Sequence, residues 1–517
     1  MLKLLRSPAF MVLLSAVLTA IAVSNISIII IWICFIPLFM ILESLSAKQA
    51  FKAGLTFGGV MSIVLFFWMI PGAKRFTGTN IGYGALVFVI SGCFFSFFFA
   101  LITWCFSLLK TTKNAPCASV ANGVLIAALF CIGEACLTLV SSGLPWFDFH
   151  AGYPLSANIY AIQPAAYFGV SILSFIVLLV NYLCAVFISE KQWTRCLIPL
   201  SMIGIYFLSG YFILQNFNRN LPSGKKIKIA ILSENIPPET KWNDYTGEGL
   251  AQRLLNMSRQ AAELKPSIAV WSESAIPWTY RKDDDLVNEI LKITRSAGIT
   301  HILGINTATQ QADVVNNSAY CITPNGNIAG RYDKQVLLSL IEKPISGFAI
   351  PFMSSAGFTA KASGYSAPLN TPFGKAGIII CNESTVPAVA YNAVEKGATF
   401  LCNMSNDGWF SNTYIVGLHF YAARLRAVET RKDLVISSNN GYGGLIKASG
   451  AIELQERSSQ PLVKLVTVNE NHFKTLQLNH PWLFIYICLG FVIVAICYRL
   501  YCSTQLHGAR SNTAPAA

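Results

Sequence analysis

Long apolar runs and short alternating ones divide the 517-residue chain unevenly. Mostly apolar runs fall near 8–24, 26–43, 53–70, 82–109, 119–141, 165–188, 194–215 and 482–501. A helical membrane span needs about 20 such residues. The pattern therefore predicts a polytopic α-helical bundle of about eight spans, seven before residue 216 and one after residue 480. The first run is short and follows Lys3 and Arg6, as a cleaved leader also would. A second apolar run follows almost at once, and the two read better as a helical hairpin.

From about residue 227 the period changes. Strands are expected at Ile227–Leu232, Ser267–Trp271, Ile302–Ile305, Asn317–Thr323, Ile328–Tyr332, Ala376–Cys381, Thr399–Met404, Leu434–Ser437 and Gly444–Lys447. Helices are expected over 248–264, Asp284–Ser296 and Leu418–Thr430. Strands interleaved with helices predict an α/β domain with buried sheets. The expected division is residues 1–215 as a membrane domain of seven transmembrane helices, 216–480 as an extracytoplasmic α/β domain, and 481–517 as a last transmembrane helix with a short cytoplasmic tail.

Composition sharpens this picture. Charged residues make up only 12% of the chain against 54% hydrophobic, and soluble proteins carry about 25% charged. That excludes an ordinary soluble enzyme and a disordered chain. The net charge is +13, but no basic stripe interleaves with aromatics, so nucleic acid is not an expected partner. The cations outside 216–480 instead mark topology. With the N-terminus in the cytoplasm, Lys3, Arg6, Lys48, Lys52, Lys110, Lys113, Lys191, Arg195, Arg499 and Arg510 all fall on the cytoplasmic side, with only Lys74 and Arg75 opposite. Region 216–480 then lies outside the cytoplasm. Glu134 is an ionisable residue inside a span and reads as hydrogen-bonded to a neighbouring helix. Such sparse charge argues against an ion-coupled transporter. The run Gly143–Phe147 reads as an aromatic anchor at the outer interface, with a lipid-facing vestibule as the second reading.

Most of the fourteen cysteines lie in or beside apolar runs, where Cys acts as a small hydrophobe. Cys321, Cys381 and Cys402 lie in the polar region, without a CxxC pair, so no disulfide framework is expected. Cys381 stands where the apolar strand Ala376–Ile380 ends, a place where α/β proteins present nucleophiles. Glu273 follows the strand ending at Trp271, and Lys334 follows the strand ending near Tyr332. A carboxylate beside apolar groups can serve as a general base. A fixed ammonium can hold an oxyanion and favour a thiolate. Each residue alone is more often structural; three strand ends bearing Glu, Lys and Cys in that order are a far more specific set.

At these residues the chain resembles the nitrilase (carbon–nitrogen hydrolase) superfamily. Its membrane arrangement is similar to the apolipoprotein N-acyltransferase family. The motifs that carry the likeness are Asn235-Ile-Pro-Pro-Glu-Thr-Lys-Trp242, Glu273-Ser-Ala-Ile-Pro277, Tyr332-Asp-Lys334, Cys381-Asn-Glu383, Ser405-Asn-Asp-Gly-Trp-Phe410, Arg424-Leu-Arg-Ala-Val-Glu429 and Asn439-Asn-Gly441. The resemblance implies an αββα sandwich, with Glu273 as base, Lys334 as oxyanion stabiliser and Cys381 as nucleophile. It also implies supporting or substrate-binding parts for Glu342, Glu383, Trp242 and Asn382. Three places depart from the family pattern. Asn382 stands where Tyr is usual, Ser272 stands in the family's Trp-Pro-Glu, and Leu337–Pro344 replaces a loop rich in Pro, Gly and His.

What the resemblance implies is a two-step acyl transfer in the inner membrane of a bacterium, with the catalytic domain on the periplasmic side. A phospholipid is the acyl donor and a diacylated apolipoprotein the acceptor. No metal, nucleotide or other cofactor is called for. A membrane-tethered amidase of the nitrilase type and a catalytically silent lipoprotein-binding relative are the alternatives. The scattered histidines lack HExxH, against a zinc site. Asp283-Asp284-Asp285 reads as a turn and helix cap before it reads as a Ca²⁺ ligand set. The stretch 345–370, with Gly347, Phe348, Pro351, Phe352, Met353, Gly357 and Phe358, reads equally as a mobile lid or as ordinary packing.

Overall fold

A computed structural model describes residues 7–72, 81–111, 117–221, 224–237, 240, 242–243, 245–311, 314–339, 342, 359–360, 362, 364, 367–457 and 459–511. The residues singled out in 345–358 lie outside these, as do Lys343 and Pro344.

Helices described in full before the α/β region are α1 (Pro8–Ser24), α2 (Ile36–Leu42), α3 (Ala47–Phe66), α4 (Ile81–Leu109), α5 (Ala118–Val140), α6 (Ala165–Ser189) and α7 (Leu197–Asn220). A last helix, Leu483–Ser511, ends the described chain. Among the described residues six helices are long and apolar enough to cross a membrane: α3 to α7 and the last one. The runs at 8–24 and 26–43 are shorter. The second is broken into a turn of 3₁₀ helix, Ile30–Trp32, and the short α2, with Pro37 in its first turn. A break exposes backbone groups that need partners in an apolar setting. Asn181 of α6 supplies them, accepting Phe35 N–H at 3.0 Å and donating to Ile31 C=O at 3.0 Å. The apolar pattern could not disclose this break, because the residue that satisfies it lies far along the chain.

Glu134 is wholly buried. It is hydrogen-bonded, but to the loop beyond its own span instead of another helix: Oε1 accepts Ala151 N–H at 2.8 Å, and Oε2 lies 3.1 Å from His150 Nδ1.

Among the described residues the α/β region has fifteen strands and four helices packed on its sheets. Its first sheet contains β1 (Lys226–Ser233), β2 (Ile268–Trp271), β3 (Ile276–Thr279), β4 (Thr300–Ala308), β5 (Val314–Asn316), β6 (Ser318–Ile322), β7 (Ile328–Asp333), β8 (Thr359–Ala360) and, returning from the end of the domain, β15 (Leu462–Asn469). Strands β1, β2 and β4 are parallel. Antiparallel steps from β4 to β6 and from β6 to β7 turn β7 back to the same direction. β15 lies antiparallel beside β1, pairing Asn469 with Lys226. The second sheet runs β14 (Ile452–Glu456), β13 (Gly443–Ile446), β12 (Leu434–Asn439), β11 (Phe400–Asn406), β10 (Gly374–Ile380) and β9 (Leu369–Thr371), with β10, β11 and β12 parallel.

Alternation along the strands decides the layers. Ile227, Ile229 and Ile231 of β1 meet Ala376, Ile378 and Ile380 of β10 in one core between the sheets. The intervening Ala230 and Leu232 face outward onto α8 (Gly247–Leu264) and α9 (Asp285–Thr294). Behind the second sheet, Ile379, Leu401 and Leu434 pack on α10 (Pro387–Glu395) and α11 (Ile415–Thr430). Helix, sheet, sheet and helix thus form the αββα sandwich. The Asp283–Asp285 run caps α9, where Asp284 accepts Val287 N–H at 2.9 Å.

Helix α11 is buried on almost every side although it carries His419, Arg424, Arg426 and Glu429, so those polar groups need partners inside the structure. One face belongs to the sandwich. The other, with Ile415, Leu418, Ala422, Leu425 and Val428, joins the core of the membrane helices. Its arginines extend that junction. Arg424 donates to the C=O groups of Ser156 and Ala157 at 2.7 and 2.8 Å, and Arg431 to Gln163 Oε1 at 2.7 Å. Arg426 and Glu429, both about 1% exposed, pair at 2.8 Å. Removing one member of a buried pair leaves the other charge unpaired, at a cost of about 3–5 kcal/mol. Arg426→Ala is therefore expected to lower the unfolding midpoint in detergent sharply. Arg426→Met with Glu429→Gln should recover most of the loss, since Gln still accepts the Tyr391 hydroxyl now 2.8 Å from Glu429. A single variant as stable as the parent would show the pair to be dispensable.

Candidate active site

The parallel strands end on one rim, which is where sheets of this kind gather functional groups. β2 leads to Glu273, β7 to Lys334, β10 to Cys381 and β11 to Asp407.

Glu273 sits in a tight corner. Ser274 after it has a left-handed backbone, φ +49°, which costs a non-glycine residue energy. Opposite lies Gly304 of β4. A side chain there would come within 2.1 Å of Ser272 C=O and 2.8 Å of Ser274 N, so only glycine allows this approach. The carboxylate is buried and fully engaged. Oε1 accepts Lys334 Nζ at 3.0 Å and Asn317 Nδ2 at 2.8 Å, and Oε2 accepts Asn406 N–H at 2.9 Å.

Lys334 is 1% exposed and lies between two carboxylates. Glu342 holds it from the other side at 3.0 Å and is itself fixed by Leu338 N–H and Asn317 Nδ2. Burial is the largest single influence on the ammonium and works to lower its pKa. Glu273 first, then Glu342, outweigh it, and the pKa rises well above the ordinary lysine value. The two carboxylates thus favour the charged form of Lys334.

Cys381 begins a 3₁₀ turn, Cys381–Thr385, with φ +54°. A left-handed residue between strand and turn lifts its side chain out of the strand's direction, as a nucleophile elbow does. Burial pushes the thiol well above its ordinary pKa, the Glu273 charge adds to this, and Lys334 opposes both. At neutral pH the sulfur thus carries its proton until a base takes it.

Glu383 ties the nucleophile to the lysine. Its Oε2 accepts Ile380 N–H at 2.7 Å and the Tyr332 hydroxyl at 2.9 Å, while Oε1 accepts Gln335 and Val336 N–H at 2.6 and 3.0 Å. Burial raises its pKa, and the backbone donors hold the rise in check. Asn382 donates to Val336 C=O at 3.2 Å, fastening the same two loops. The structure therefore brings together Glu273, Lys334, Cys381, Glu342, Glu383 and Asn382. Trp242 is half-buried, edge-on to Trp278 with ring centroids 5.1 Å apart, in the cluster beneath α8 and α9 that also holds Ala275 and Ile276.

Further residues complete the site. Asn317 bridges Glu273 and Glu342. Asp407 lies behind the thiol, its two oxygens meeting His419 Nδ1 and the Ser438 hydroxyl, each at 2.7 Å. Among the described residues Cys381, Asp407 and His419 place donor atoms within 4.8 Å of one another. Such donors could hold a divalent cation, though both oxygens of Asp407 are already engaged by protein hydrogens. Asn406 and Asp407 fall within a motif visible in the sequence. Neither Asn317 nor His419 carried any signal, because their partners come from distant segments.

The Gly143–Phe147 run lies directly against this rim. Gly143 C=O accepts Ser339 N–H at 2.8 Å, and Trp146 packs on Trp68, whose ring lies 5.7 Å from that of Phe410. Trp146 is buried within the structure, so it is no anchor exposed at an interface.

Residues 229–458 match the family described as carbon–nitrogen hydrolase, and residues 15–183 match the apolipoprotein N-acyltransferase N-terminal domain. Together the two matches cover most of the chain, and the second is to the apolipoprotein N-acyltransferase family. Curated members span most of this chain. The apolipoprotein N-acyltransferase of Geobacter metallireducens is 26% identical over 85% of this chain and 84% of its own length. That of Borreliella burgdorferi is 24% identical over 92% and 90%. Among solved structures, Saccharomyces cerevisiae Nit3 of the nitrilase superfamily is similar at 17% identity and a TM-score of 0.38, covering 48% of this chain and 91% of its own. The chain is thus an acyltransferase similar along most of its length to apolipoprotein N-acyltransferases, with six described helices long and apolar enough to cross a membrane.

Proposed function

We propose that the protein moves a fatty acyl chain from a phospholipid, through a thioester on Cys381, to the α-amine of the S-diacylglyceryl cysteine of a lipoprotein. The observation that carries this reading is a neutral, buried thiol at a left-handed strand end, acted on by both Glu273 and Lys334, in a domain that shares a core with membrane helices.

In the first step Glu273 takes the Cys381 proton as sulfur attacks the ester carbonyl of the donor. Lys334 holds the oxyanion, and its position between two carboxylates favours its charged form. As the carbon–oxygen bond breaks, Glu273 returns the proton to the departing lysophospholipid oxygen, leaving an acyl thioester. The acceptor amine then attacks that thioester. Glu273 takes the amine proton and passes it to the leaving sulfur, so an amide forms and the thiol is restored. Covalent transfer of this kind gives ping-pong kinetics.

Two lipid-anchored substrates call for a site at the bilayer surface, and the positive charge bias of the short loops supports an α/β domain outside the cytoplasm. The inner membrane of a bacterium is the matching location. The core that the sandwich shares with the spans weighs against a merely tethered amidase.

Mass spectrometry of the purified protein provides the test. Incubation with phospholipid should add one acyl mass to the Cys381 peptide. Addition of a diacylated lipopeptide should remove that mass as N-acylated lipopeptide appears. An adduct that only water removes would make the protein a lipid hydrolase, and the absence of any adduct on folded protein would overturn the reading.

A further inference from the structure

One buried carboxylate on the catalytic rim has no part in the reaction as described. Glu234 follows β1 by a single residue and is 1% exposed. Strands β1 and β2 pair in parallel up to Leu232 and Trp271, so Glu234 stands beside the residues that leave β2. Both its oxygens point at Ser272, the residue before the base. Oε1 accepts Ser272 N–H at 3.3 Å, and Oε2 accepts the Ser272 hydroxyl. Ser272 is fully buried, so those two donors have no water in reach. The loop carrying Glu234 is held in turn. Arg253 donates to the C=O groups of Glu234 and Asn235 at 3.4 and 3.0 Å, and Asn439 clasps Ile236 through both its N–H and its C=O at 2.7 Å. The same Asn439 donates to Asn406 Oδ1 at 3.0 Å, and the Asn406 N–H is one of the donors on Glu273.

We infer that Glu234 is a positioning residue for the general base, acting through Ser272, and that the pair does by hydrogen bonding what proline does by ring constraint at that position in the family's Trp-Pro-Glu. Proline fixes its own φ and has neither an N–H nor a hydroxyl to satisfy. Serine brings both and leaves φ free. A carboxylate facing both donors settles them and fixes the backbone just before Glu273, where the left-handed Ser274 and the close approach of Gly304 need a firm hold on the near side. Burial pushes the Glu234 carboxyl up to about 7, and the Ser272 donors are the main force against that rise, so each partner makes the other tolerable in the interior.

This inference rests on the assignment of Glu273 as base, and the test separates the two. The probe is a p-nitrophenyl fatty ester, whose burst of p-nitrophenolate reports acylation of Cys381 with no lipid acceptor. Glu234→Ala, Glu234→Gln, Ser272→Pro and the double variant Ser272→Pro with Glu234→Ala are compared with the parent in detergent. The burst rate constant at saturation should fall about tenfold in Glu234→Ala, with half-saturation within about twofold. Glu234→Gln, which keeps an acceptor for Ser272, should recover most of the rate. Ser272→Pro alone should lose more than Glu234→Ala, because it strands the carboxylate, and the double variant should regain rate over Ser272→Pro. Rates equal to the parent in Glu234→Ala, or losses that simply multiply in the double variant, would overturn the inference. If Glu234→Ala does not fold, the comparison of Ser272→Pro with its double variant decides alone. No burst in the parent would strike instead at the proposed function, and an undiminished burst in Glu273→Gln at the assignment of the base.

Discussion

A Cys381→Ala variant is expected to fold as the parent does and to form no acyl adduct. Alanine keeps the β-carbon and loses one sulfur from a site already stabilised by the Glu383 hydrogen bonds to Ile380, Gln335 and Val336, so the rim should survive. Transfer through a covalent intermediate has no detour around a missing nucleophile, and activity should fall by roughly 10⁴-fold or more. The state of the thiol gives the same experiment a pH dimension. Its pKa lies well above the ordinary thiol value, so the thiolate is scarce at neutral pH and grows as pH rises. Alkylation of Cys381 by iodoacetamide in the parent should therefore still be accelerating above pH 9. Measurable N-acyl transfer by Cys381→Ala, or alkylation already at its plateau at pH 7, would contradict this account of the sulfur.

Glu273→Gln carries the second large effect. Every group touching the Glu273 carboxylate is a donor: Lys334 Nζ, Asn317 Nδ2 and Asn406 N–H. Glutamine can meet some of them with its oxygen, but its own NH₂ must face another donor. The change thus removes the base, sets N–H against N–H, and deprives Lys334 of one counter-charge. General base catalysis contributes about 10²- to 10⁴-fold. The single-turnover acylation rate should fall within that range, with the thermal midpoint also reduced. Rapid-quench acylation of both proteins checks it. A rate within threefold of the parent would assign proton transfer to another group, and the Asp407–His419 pair would be the first to test.

Much of this arrangement was legible beforehand, and the physical reason differs from part to part. Strands whose later residues are buried on both faces, as in Lys226–Ser233 from Ile229 on and Gly374–Ile380 from Ala376 on, read as short apolar runs and declare themselves. The last two strands, Ile452–Glu456 and Leu462–Asn469, mix exposed with buried positions and lie at sheet edges, and they escaped notice. Helix Pro387–Glu395 is only nine residues and begins at a proline, and no helix was expected there. Glu273, Lys334 and Cys381 were visible because each directly follows a strand. Asn317, Glu234 and His419 were not, because what makes them matter is a neighbour from another segment, and spacing along the chain carries no trace of it. Trp242 was singled out by likeness of sequence alone, and its ring sits edge-on to Trp278.

The return of β15 to lie beside β1 governs the order in which the domain can be completed. A ribosome releases β1 soon after α7 and β15 only just before the last helix, with nearly the entire sandwich between them. Until then β1 is an edge strand, apolar on both faces beyond Lys228 and with one row of backbone donors and acceptors unpaired. Such an edge invites pairing with another chain. The domain is thus sealed by its final strand, and a nascent chain halted before Leu462 holds an open, adhesive sheet at the surface of a membrane.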